Sequence, residues 1–127
     1  MKLHDLLTKN ATVELKHPVS DDDLGVSIII KPNEDQGVKS VVRRELSNLP
    51  NRPADDAKDA EKLNYLETIE KTDRTILASR IVDVKGLEDF VNTEEAVLAF
   101  VMSLPAEYIA QINEVVADRN NFFRGAK

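Results

Sequence analysis

Leu3, Leu6 and Leu7 fall at helical spacing, so the chain is expected to open with one helical turn that Asn10 ends. From Ala11 to His17 the period drops to two. Val13, Leu15 and His17 lie on one side, with Thr12, Glu14 and Lys16 on the other, the pattern of a half-buried strand. Pro18 ends it, and Ser20-Asp-Asp-Asp23 reads as a polar turn. Gly25–Lys31 is expected to be a second strand, because Val26, Ile28, Ile29 and Ile30 form a β-branched run closed by Pro32. The gap is too short for a parallel crossover of about a dozen or more residues, so the two strands should form an antiparallel hairpin over 11–31.

Beyond the Pro32–Gly37 turn the period becomes helical. Val38, Val41, Val42, Leu46 and Leu49 mark one face of a helix near 37–48. Pro50 and Pro53 break it. A long helix over about 56–79 follows, with Asp55, Asp56, Asp59 and Glu61 at the positive end of its dipole. Leu63, Leu66, Ile69, Ile76 and Leu77 form its expected buried stripe, interrupted by Asp73. Ile81–Gly86 reads either as an extended connector or as a third strand. Asn92 is the expected N-cap of a helix over 93–103, with Glu95 completing a capping box. Pro105 opens a last helix over 105–121, whose stripe Tyr108–Phe123 reads as core packing. The fold class is therefore α+β: an N-terminal β-hairpin followed by about four α-helices, in one helix-dominated domain over 1–127 with its helical part at 37–123.

Charge and composition narrow the function. Residues 1–54 carry eight bases and eight acids, whereas residues 55–127 carry nine bases and fifteen acids, so the net charge of −6 sits in the second part. The only basic doublet, Arg43–Arg44, is followed by Glu45. Nucleic acid and anionic membranes are therefore not expected partners. The absence of cysteine excludes disulfides, thiolate metal sites and cysteine nucleophiles. No apolar run is long enough for a membrane span, and Met1–Asn10 is too short and polar for a signal peptide, so a cytoplasmic setting is expected.

No catalytic signature emerges. His4 and His17 stand outside any metal-ligand spacing and read as solvated or packed histidines. Asp21-Asp22-Asp23 lacks the glycine and glutamate register of a calcium loop and reads as a solvated turn. The four glycines are too dispersed for a phosphate cradle, and no serine sits in a nucleophile elbow. The expectation is a non-enzyme with no catalytic residue, no metal site and no cofactor.

The C-terminal third carries a more specific pattern. Ile81-Val-Asp-Val-Lys-Gly-Leu87 precedes a helix opening Asn-Thr-Glu-Glu. Leu104-Pro-Ala-Glu-Tyr-Ile109 and Gln111-Ile-Asn-Glu-Val-Val116 follow, and Asp118-Arg-Asn-Asn-Phe-Phe123 closes the pattern. This succession resembles the tail assembly chaperones of long-tailed, lambda-like bacteriophages, closely over 80–127 and loosely over 11–50. One departure is Val84-Lys85, where the family often carries a Trp before the Gly. The resemblance implies a late protein of the host bacterial cytoplasm, absent from the mature virion. Such a protein coats the tape measure protein while tail tube protein subunits polymerise, and it has a longer form of itself made by ribosomal frameshifting. The main rival is a small structural head–tail connector or tail completion protein. An acidic mimic of nucleic acid would need one continuous acidic face, which Lys58, Lys62 and Lys71 interrupt.

Self-association is part of the expectation, as a ring or spiral homo-oligomer. Ile29 points away from the face shared by Val26, Ile28 and Ile30. Phe122 and Phe123 are adjacent and, about 100° apart on a helix, cannot both face one core. Ile29, Phe122 and Phe123 are the candidate partner contacts, together with open hairpin edges.

Overall fold

Alternation along the first strand is realised residue by residue in the computed structural model, which describes residues 2–123. β1 (Ala11–Lys16) buries Ala11, Val13 and Leu15 and exposes Thr12, Glu14 and Lys16. His17 lies just past the strand and is exposed. Its Nδ1 accepts from the backbone N–H groups of Val19 and Ser20, so it shapes the turn rather than joining the core. β2 (Asp23–Ile30) runs antiparallel to β1, with Val13 opposite Ile28 and Ala11 opposite Ile30. The expected hairpin is present, and a short helix α1 (Leu3–Leu6) precedes it.

Ile81–Lys85 is a third strand, β3, rather than a connector. It pairs antiparallel with β2, giving a sheet of order β1-β2-β3. Residue type supports this, since Ile81, Val82 and Val84 favour a pleated surface. The strand also needs a close backbone approach. Gly86 (φ +93°) meets Gly25 (φ +74°), and a Cβ on Gly86 would stand 1.9 Å from the Gly25 carbonyl oxygen. Two glycines 61 positions apart in sequence thus close the end of the β2–β3 pair.

The helices are α2 (Gln36–Ser47), α3 (Asp59–Arg80), α4 (Glu94–Ser103) and α5 (Ala106–Ala117). Asp35 caps α2 through its Oδ1, which accepts from Val38 N–H at 3.0 Å. The expected cap of α4 moves by one residue: Thr93 Oγ1 accepts from Ala96 N–H, while Asn92 donates its amide to the Val82 carbonyl. α5 stops at Ala117, short of the expected end. Asp118 then caps a 3₁₀ turn over Arg119–Phe122.

One face of the sheet takes the helical layer. Val13, Leu15, Ile28, Ile30 and Val84 pack with Leu77 of α3, Val97 and Val101 of α4, Ile112 of α5 and Phe122. α2 packs on α3, and its buried Val38 lies outside that core. Arg74 ties the layer together. Its Nη1 donates to the carbonyls of Val101 (2.7 Å), Met102 (3.3 Å) and Leu104 (2.7 Å), and its Nη2 lies 3.4 Å from Glu70. A cation at the C-terminal end of α4 satisfies carbonyls that have no partner inside the helix and complements the helix dipole.

Among the described residues no single helix is long and apolar enough to cross a membrane. α4 and α5 pass that test only as a pair bent by 115°, and each contributes buried side chains to the core.

Candidate interaction surface

The hairpin edges expected to be open are partly closed by side-chain amides. Gln111 Oε1 accepts from Lys16 N–H at 2.9 Å, and its Nε2 donates to the Lys16 carbonyl at 2.8 Å. This reproduces on β1 the two-bond exchange of an antiparallel neighbour. Further along, Lys9 N–H donates to the Phe122 carbonyl, and Thr8 bridges to Phe123. On β3, Asn92 occupies the carbonyl of Val82, at the irregularity where the register with β2 shifts. Amides and a bulge blunt both edges against adding another strand.

Ile29 lies on the outer face of the sheet, half-buried and outside the core, with Thr12 on one side and Asp83 on the other. The next row across is Glu14, Ser27 and Lys85, so Ile29 is an apolar position in a polar surround. Phe122 and Phe123 divide as neighbours on a turn must. Phe122 is 1% exposed and belongs to the core, so it is not available as a partner contact. Phe123 is 40% exposed, with the Arg119 guanidinium carbon 5.1 Å from its ring centre.

The largest departure from expectation is in the first half of α3. Leu63 and Leu66, assigned by spacing to a buried stripe, are 57% and 62% exposed. The stripe that turns inward is Lys62, Tyr65, Ile69, Thr72 and Ile76, with alternating steps of three and four. Lys62 and Thr72 made this stripe look polar. Lys62 is half-buried and donates its Nζ to the Asp55 carbonyl at 2.6 Å. Leu46 on the neighbouring α2 is 54% exposed. The α2–α3 pair therefore presents three leucines to solvent. The leucines of α1 are exposed as well.

Electrostatics around the site are modest. Arg119 pairs with Glu34, and this hydrogen bond holds the Glu34 carboxyl below the ordinary glutamate range. Burial, and then the nearby charge of Arg119, pushes the Arg80 guanidinium below its usual value. Arg80 Nη1 and Arg119 Nη1 are buried without a hydrogen-bond partner among the described residues. Two open cavities adjoin α3. One of about 420 Å³ lies against α2, β3 and α4, and one of about 560 Å³ lies against α5. Charges of both signs line each of them, and neither contains a histidine. Among the described residues no group of three or more His, Asp or Glu is placed to hold a metal ion. The side chain of His4 lies outside the described part of the chain. The chain matches no protein-family model, no curated protein and no solved structure.

Proposed function

We propose that this protein is a non-enzymatic tail assembly chaperone of a long-tailed bacteriophage, which self-associates and coats the tape measure protein while the tail tube forms. The observation that carries the reading is its surface. An acidic chain leaves Leu46, Leu63 and Leu66 more than half exposed on one helix pair, and Phe123 exposed near its end. Exposed apolar side chains grouped within a charged surround mark association sites, and net charge keeps such a protein soluble at high local concentration.

The sequence pattern over 80–127 supports the same reading, and its elements have definite places in the fold. Asp118 caps the closing turn, Asn121 donates to the Val115 carbonyl at 3.1 Å, and Phe122 fills the core. A motif built this way is a signature of the fold rather than of a reaction. The reading is tested by co-expressing the chain with the tape measure protein of a long-tailed bacteriophage. Recovery of a soluble complex, together with absence of the chain from purified particles, is the expected result. Retention in the particles would instead make it a structural connector or tail completion protein.

A further inference from the structure

We infer that two copies of this chain pair through their α2–α3 arms, with α2 of each copy lying across the first half of α3 of the other. This rests on the self-association in the reading above, and not on the client protein. Three observations lead to it. Leu46 on α2, and Leu63 and Leu66 on α3, are each more than half exposed, on helices of 12 and 22 residues that pack on one another. The two helices differ in charge: Lys39, Arg43 and Arg44 face a single acid, Glu45, in α2, whereas Asp59, Glu61 and Glu67 outnumber Lys62 in the first half of α3. Finally, Arg43 and Glu67 are both exposed, and neither forms an ion pair among the described residues.

A second copy supplies what each helix lacks. Its α2 brings Leu46 to Leu63 and Leu66, and brings Arg43 toward the acids of α3. A two-fold axis repeats the same contact with the roles exchanged, as an isologous interface requires. The sheet is the weaker alternative, because its outer face offers Ile29 amid polar neighbours and its edges are occupied by Gln111 and Asn92.

The test is sedimentation equilibrium of the purified full chain across micromolar to submillimolar concentrations. Wild type should approach twice the monomer mass of 14.2 kDa. Leu66→Glu should weaken the dimer about thirty-fold or more, as for a central interface residue, with an unchanged circular dichroism spectrum. Arg43→Glu and Glu67→Lys should each weaken it separately. Mixing these two variants should restore it, because each contact in the mixed dimer then joins opposite charges. A wild type that stays monomeric overturns the proposal and the self-association in the functional reading, whereas capture of the client by that monomer would leave its client-binding part intact. Dimers that survive Leu66→Glu but are lost in Ile29→Lys overturn it in favour of the sheet, and self-association stands. Failure of the mixed variants to recover the dimer overturns the reciprocal α2-on-α3 arrangement.

Discussion

The two ends of α3 share one helix and live in different surroundings. In its second half Leu77 is buried against the sheet, and Arg74 bonds three carbonyls at the junction of α4 and α5. In its first half Leu63 and Leu66 face water. Helical propensity and acidic first-turn residues can build both halves, but the buried leucine and the arginine that binds carbonyls of another helix belong to the second. A residue's spacing along a helix therefore says which side it is on, and not whether anything covers that side.

Truncations should separate the two halves by size of effect. Phe122→Ala, which removes a 1%-exposed core side chain, should cost about 3–5 kcal/mol in urea unfolding. The same change at Phe123 should cost far less, because that ring is 40% exposed. Equal losses at the two positions would break the distinction between core and surface here.

Arg74→Met keeps the apolar stem but deletes the guanidinium that bonds Val101, Met102 and Leu104. A loss of about 2–3 kcal/mol is expected, since partly buried carbonyls lose a charged donor. A midpoint unchanged in urea unfolding would show that α4 and α5 hold their junction without it.

At the other end of α3, Leu66→Glu should change monomer stability by no more than about 0.5 kcal/mol in either direction, as for an exposed position away from special contacts. A larger loss, measured at concentrations below dimerisation, would place Leu66 inside the fold and not on a docking face.

The smallest effect concerns pH. Glu34 has a lowered folded-state pKa, caused first by its hydrogen bond to Arg119. Its contribution is therefore fully present above the ordinary glutamate value of about 4.3 and is lost as pH falls through the lowered folded value. Wild type should lose thermal stability slightly more steeply than Glu34→Gln on acidification from pH 5 to 3. The two curves should run parallel above pH 6. Because the pair is surface-exposed, the difference should be small.

The sequence by itself determined the local elements. Alternation at Ala11–Lys16 and the isoleucine run at Ile28–Ile30 specify a hairpin because pleated backbone places successive side chains on opposite faces. Helical spacing and the capping signal read at Asn92, one residue before the cap that forms at Thr93, specify where helices run, because those signals act within a few residues. The division of labour between Phe122 and Phe123 was foreshadowed by their adjacency, although not which of them turns inward. Tertiary structure alone decided what each element meets. β3 depends on Gly86 finding Gly25, and the edge of β1 depends on Gln111, 95 positions from Lys16. Arg74 reaches carbonyls about 30 positions away. Leu63 and Leu66 are exposed although Leu77, at helical spacing from them, is buried. Such contacts join groups distant along the chain, and no local pattern encodes which distant partner will be near.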